Sequence, residues 1–192
     1  MKKLLIVFVL IAAIVGLSVF STYIVRRDEI AARRTTVDKA WSQVNMAMQR
    51  RADLVPTVLA TMKANAGRNH ALVAEAEQAR ADVQTATTPA EAIAASRRLD
   101  AVMARLYASA QDDPDLLVNQ KFFALQDQWA IATNRIAPER VHYDQAVQDY
   151  NAFIADFPND VFARWASFGP MENVFSSDAD SASRTTAQLM RK

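Results

Sequence analysis

Residues 37–62 read VDKAWSQVNMAMQRRADLVPTVLATM, and their spacing decides the fold class. Val37, Trp41, Val44, Met48, Val55, Val58 and Met62 step by three and four, with one gap at Arg51. Such spacing gathers apolar side chains on one stripe of an α-helix, the face a helix buries against its neighbours. The phase survives Pro56, so a kink rather than an end is expected there. Gly67 is the expected stop.

The same periodicity recurs downstream. Leu72, Ala76, Ala79 and Val83 form a second, shorter stripe. Thr87-Thr88-Pro89 breaks it, with Thr88 as N-cap, Pro89 at the first helical position and Glu91 in the first turn, where a carboxylate suits the helix dipole. Ala95, Leu99, Val102 and Leu106 give a third stripe, and Asp112-Asp113-Pro114 the next turn. Val118, Phe122, Leu125, Trp129, Ala132 and Ile136 begin the longest stripe. Tyr143, Val147, Tyr150, Ile154 and Phe157 resume it in phase, with a kink expected at Pro138 and an end at Pro158. Phe162, Trp165, Phe168 and Phe175 follow, and from Ser176 the chain is rich in Ser, Asp, Ala and Thr and is expected to be loose. Alanine is abundant and glycine scarce, which favours helix throughout. The expected fold is all-α: an N-terminal transmembrane helix, then an antiparallel four-helix bundle of two long and two short helices. The expected organisation is an anchor over 1–27, a bundle over 28–158, an aromatic segment over 159–175 and a tail over 176–192.

The start of the chain sets an address. Leu4 to Val25 is an uncharged, mostly apolar run between Lys2-Lys3 and Arg26-Arg27. Its 22 residues suffice to cross a bilayer core as one helix. No small-x-small cleavage site follows it, so a retained helix is expected rather than a removed signal peptide. The arginines after the run favour a cytoplasmic body by the positive-inside rule, whereas Met-Lys-Lys before an apolar run resembles an export signal. The side of the membrane stays open on these grounds.

Composition excludes several classes. Without Lys2 and Lys3, 20 basic residues face 21 acidic ones, a net charge of −1. A body with no basic surplus argues against nucleic acid as the main partner. The absence of cysteine excludes disulfides, thiolate chemistry and sulfur-ligated metals. Three glycines leave no room for a glycine-rich phosphate loop.

Trp41-x-Gln43, then Gln49-Arg50-Arg51-x-Asp53-Leu54-Val55-Pro56, resembles the signature of the LemA family. Ala79-Arg80, Pro114-x-Leu116 and Phe123-x-Leu125-Gln126 fit the same pattern, as do Asn134-Arg135-Ile136-Ala137, Arg140, Tyr143, Tyr150-Asn151 and Phe157-Pro158, in order and spacing. The Arg-x-Asp-Leu-Val-Pro block is the specific part. The chain departs from the pattern at Asp113-Pro114, Thr133-Asn134, Tyr143-Asp144 and Asn69. The resemblance implies a bundle anchored in a bacterial inner membrane, with no established activity and a scaffold or accessory role. It marks Trp41, Gln43, Arg50, Arg51, Asp53, Pro56, Arg80, Asn134, Arg140, Tyr143, Tyr150 and Asn151 as motif residues that are structural or partner-binding.

No catalytic set emerges from the residues. Glu139-x-x-His142 is half of a di-iron helix motif, but a second Glu-x-x-His is missing, so no metal or other cofactor is expected. No serine lies in a nucleophile motif. The expectation is a non-enzymatic, membrane-anchored interaction protein of the envelope, held by lipid through its anchor and by a protein partner, with neither nucleic acid nor a small-molecule substrate. An accessory envelope enzyme and a lipid-organising factor are the alternatives. Trp41, Trp129 and Tyr150 are expected in the core. Arg50, Arg51 and Asp53 are expected to cluster around the Pro56 kink or to form an anion or partner site, and Arg80 to make a salt link. Arg51 is expected level with Ile136–Arg140 of an antiparallel partner helix, in contact with Glu139, with Asp53 or Arg140 as alternates, and Ile30 beside Phe157. The aromatic tail is expected to cap the bundle, with contact of Phe162, Trp165, Phe168 and Phe175 to the headgroups as the alternative.

Overall fold

The computed structural model describes residues 2–62, 70–111, 116 and 118–175, with side chains from Ile6 onward. Regular structure among these residues is helical: α1 (Lys2–Ala52), α2 (Val55–Met62), α3 (His70–Thr85), α4 (Pro89–Ala110), α5 (Gln120–Ala155) and α6 (Asn159–Trp165). The expectations at Gly67, Asn69, Asp112-Asp113-Pro114 and the tail over 176–192 lie outside the described residues. The described residues divide into two compact units, those within 1–39 and 144–173 and those within 40–143 and 174–175.

In the first unit, α1 opens with an apolar stretch from Ile6 to Val25 in which no residue is buried. It is long and apolar enough to cross a membrane. Two of its hydroxyls bond back within the helix, Ser18 donating to the Ile14 carbonyl at 2.9 Å and Thr22 to the Ser18 carbonyl at 2.8 Å. Packing begins past the first charges. Ile30 and Val37 of α1 are buried, as are Val147, Tyr150 and Ile154 of α5. The two helices run antiparallel here, with the Arg33 guanidinium 4.0 Å over the Phe153 ring and Tyr150 within the field of Arg34 and Asp38. Phe157 does not sit in the seam beside Ile30. Helix α5 ends at Ala155, so the turn that follows carries Phe157 out, 81% exposed.

Helix α6, which apolar spacing alone did not mark, ends in a Schellman motif. The Phe168 N–H donates to the Ala163 carbonyl (2.9 Å), the Ser167 N–H to the Arg164 carbonyl (3.2 Å), and Ser167 takes φ 58°. The segment after it returns to α5. The Tyr150 hydroxyl donates to the Gly169 carbonyl (2.9 Å), and the Asn151 amide holds both backbone groups of Met171 at 2.8 Å.

In the second unit, Val44, Met48 and Ala52 continue the buried stripe of α1. The expected kink is a full break. α1 ends at Ala52, Asp53-Leu54 form a turn, and Pro56 is the second residue of α2. Pro56 has no N–H for the Ala52 carbonyl and its ring crowds that oxygen, so the helix yields just ahead of it. The Leu54 N–H instead reaches Arg51, three residues back, at 3.1 Å. Val55, Val58, Leu59 and Met62 nevertheless stay buried, so the apolar phase crosses the break. Helix α5 runs unbroken through Pro138.

Helices α3 and α4 pair through a short turn, with ion pairs Glu75–Arg105 (2.7 Å) and Asp82–Arg98 (3.0 Å). The turn carries the expected cap. Thr88 accepts from the Glu91 N–H, Glu91 reaches back to the Thr88 N–H, and Pro89 opens the helix. Leu99, Val102, Met103 and Leu106 of α4 and Phe122 of α5 complete the core.

Candidate functional site

Arg50 and Arg51 lie in the last turn of α1 and Asp53 in the turn that follows, and each faces a different neighbour. They form no cluster around Pro56. Asp53 is exposed and accepts from the Gln84 amide of α3 at 3.1 Å. Arg51, only 2% exposed, points into the core toward α4. Its guanidinium meets the Asp100 carboxylate at 2.5 Å, the Ser96 hydroxyl at 2.7 Å and the Ser96 carbonyl at 3.2 Å. The Trp129 ring lies 5.3 Å from it. Burial pushes the Arg51 guanidinium down and the Asp100 carboxyl up, and their mutual attraction opposes both shifts.

The expected Arg51–Glu139 contact is therefore absent. Sequence reasoning paired only the first and last long helices, whereas Arg51 faces the third stripe. Ser96 and Asp100 lie one residue off Ala95 and Leu99 and one turn from each other. A polar i, i+4 pair bordering an apolar stripe was the available signal. The Arg51 guanidinium lies over Trp129, seven residues and about two helical turns from Ile136.

Arg50 points outward into a groove of about 270 Å³ between α1 and α5. Met46, Ala47, Leu54, Ile131 and Ala132 make an apolar floor; Gln43, Arg50, Gln128, Arg135 and Glu139 make the rim. Ile131 is 57% exposed. Gln43 and Arg50 were marked by sequence, while Gln128, Ile131 and Arg135 were not. The signal for them was an apolar residue off the seam of α5, flanked by polar groups one turn either side. The rim holds no nucleophile and no histidine. It can hold an apolar group and fix it through amide and charged contacts.

Among the other motif residues, Trp41, Arg140, Tyr143, Tyr150 and Asn151 contact aromatic rings or the returning segment. Trp41 and Tyr143 meet edge-on with centroids 5.6 Å apart, Phe175 packs on both, and the Arg140 guanidinium lies 4.1 Å from the Phe175 ring. Tyr150 and Asn151 bind the returning segment, with Tyr150 fully in the core and its phenol raised by burial. Trp41 and Trp129 are half-buried rather than fully buried. Pro56 and Asn134 are exposed. Arg80 is half-buried on α3 between Glu75 and Asp82, which carry the ion pairs to α4. No three His, Asp or Glu residues come together to suit a metal ion among the described residues.

A second hollow, of about 370 Å³, is lined by Asp82, Thr85, Glu91 and Arg98. Its charges are committed. Asp82 pairs with Arg98, and hydrogen bonds from Thr87 and Thr88 hold the Glu91 carboxyl below its ordinary range.

Residues 40–188 match the model described as the LemA family, well over half of the chain, and the chain belongs to that family. No curated protein matches it.

Proposed function

We propose, with membership of the LemA family as the premise, that this chain is a membrane-anchored docking protein of the bacterial envelope. It has no reaction of its own, and its groove holds a protein partner. The single observation that carries this is the groove between α1 and α5. It combines an exposed apolar floor with a rim of arginines, amides and one carboxylate, while the motif's most buried charge, Arg51, is paired with Asp100 and Ser96 inside the core. An apolar centre with a polar rim is the anatomy of a partner interface. Ile131 is the natural anchor contact, and Arg50 and Arg135 set the charge of the side chains that it accepts.

The apolar start of α1 supports the anchor. Its length, its uncovered surface and the internal hydrogen bonds of Ser18 and Thr22 all suit a helix in lipid. The test is site-specific photocrosslinking in cells that make the full chain, with the probe at Ile131 and, as control, at the exposed Ala104 of α4. A discrete adduct from position 131, lost when Arg50 and Arg135 are both changed to Glu, is the expected outcome. No adduct above the Ala104 level would refute docking in the groove.

A further inference from the structure

We infer that α6 forms an interfacial foot: Phe157 and Trp165 sit in the headgroup layer of the same bilayer that the start of α1 crosses. The inference rests on the membrane-spanning reading of α1 given above.

The level is fixed by the chain. The uncharged run of α1 ends at Val25, and Arg26 carries the first charge after it. Tyr23 lies three residues earlier, about 4.5 Å of helix rise, which is where a spanning helix leaves the hydrocarbon. Helix α6 is held at this level. Phe162 meets Tyr23 edge-on at 6.1 Å between centroids, Trp165 meets Tyr23 at 6.2 Å, and Phe162 and Trp165 stand 5.9 Å apart.

These rings divide into two roles. Phe162 is 7% exposed and makes the attachment. Trp165 touches Tyr23 and Phe162 yet stays 62% exposed, and Phe157 is 81% exposed. Capping of the helices therefore accounts for Phe162 and leaves the exposed surface of the other two unexplained. Phe20 and Ile24, either side of Tyr23 on α1, are exposed as well. The apolar surface of the span thus continues onto α6 without interruption. An indole has an apolar body and a polar N–H, and the headgroup layer satisfies both. Arg26 and Arg27 follow the span and Arg164 precedes Trp165, each exposed in part and each paired with a neighbouring carboxylate. Arginine at this depth can lay its stem along apolar surface and turn its charge to phosphates.

The test uses the full chain in phosphatidylcholine vesicles containing lipid brominated either near the headgroups or near the chain ends. Trp165 emission is obtained as the difference between the wild-type protein and Trp165→Phe, an exposed substitution that leaves the core intact. The expected result is strong quenching of this emission by the shallow bromines and weaker quenching by the deep ones. Phe8→Trp in the Trp165→Phe background reports the span independently, since Phe8 is exposed on α1. Quenching at position 8 with none at Trp165 overturns the foot and leaves the anchor standing. Quenching at neither overturns both, and quenching at Trp165 alone refutes the span and, with it, a foot beside a crossing helix. Trp165 emission that resists both bromolipid and acrylamide marks a protein cover over the patch and also overturns the foot.

Discussion

At the residue scale, Arg51 and Asp100 are an unequal pair. The Arg51 side chain is 2% exposed and the Asp100 side chain 46%. Losing Asp100 strands a buried charge, whereas losing Arg51 leaves a carboxylate that water still reaches. Asp100→Ala is therefore expected to cost about 3 kcal/mol, and Arg51→Met, which keeps the apolar stem, clearly less. Urea unfolding of the two variants checks this, and the reverse order would contradict the geometry. Tyr107 gives a second case. Its hydroxyl is shielded and meets no partner among the described residues, and burial pushes its phenol up to about 12. Below pH 10 the phenol is neutral both folded and unfolded. As pH rises from 10 toward 12, the unfolded chain loses this proton first, so stability falls across that window. Tyr107→Phe is expected to remove that part of the alkaline loss and to gain roughly 0.5–1 kcal/mol at neutral pH by deleting an unpaired donor. Thermal melts from pH 7 to 12 measure both effects. Tyr107 and Asp100 were not singled out beforehand. Arg51 was, as a gap in a stripe and as a motif residue, and a gap reveals that a polar group faces inward without revealing which helix it meets.

At the element scale, the stripes were legible and the breaks were less so. Capping chemistry is local, and Thr88-Pro89-x-Glu91 states its own geometry, so the start of α4 followed from sequence. Pro56 and Pro138 carry the same chemistry and have different outcomes: the helix breaks ahead of the first and runs through the second. Only the packing on either side distinguishes them. Helix α6 escaped notice because seven residues are too few for a periodic pattern. Its end offers a sharp test. Ser167 occupies the left-handed position that a Schellman motif reserves for glycine. Ser167→Gly is expected to stabilise by about 1 kcal/mol, seen as a higher melting temperature. A lower one would mean that Ser167 does something besides turn the chain.

At the scale of the whole molecule, the segment after α6 serves both compact units. Gly169 and Met171 accept and donate hydrogen bonds to Tyr150 and Asn151 in the first unit, and Phe175 packs on Trp41, Tyr143 and Arg140 in the second. Truncation of the full chain after Trp165 is expected to cost about 4 kcal/mol, from three hydrogen bonds and one buried ring. A detergent-solubilised truncation that melts where the full chain does would contradict this. The tail as a cap was legible in its aromatic content, but its backbone partners were not. Carbonyl acceptors leave no trace in a sequence.

The antiparallel pairing of α1 with α5 also sets a schedule. Trp41 meets Tyr143, and Arg33 meets Phe153, across more than a hundred intervening residues. A ribosome adding about 5–20 residues per second needs on the order of ten seconds to make that stretch. The α3–α4 hairpin, local and capped, can close as soon as it emerges. The stripe of Val37, Trp41, Val44 and Met48 cannot. During every round of synthesis it waits uncovered beside the newly made apolar run, and the nascent chain must be shielded for that interval.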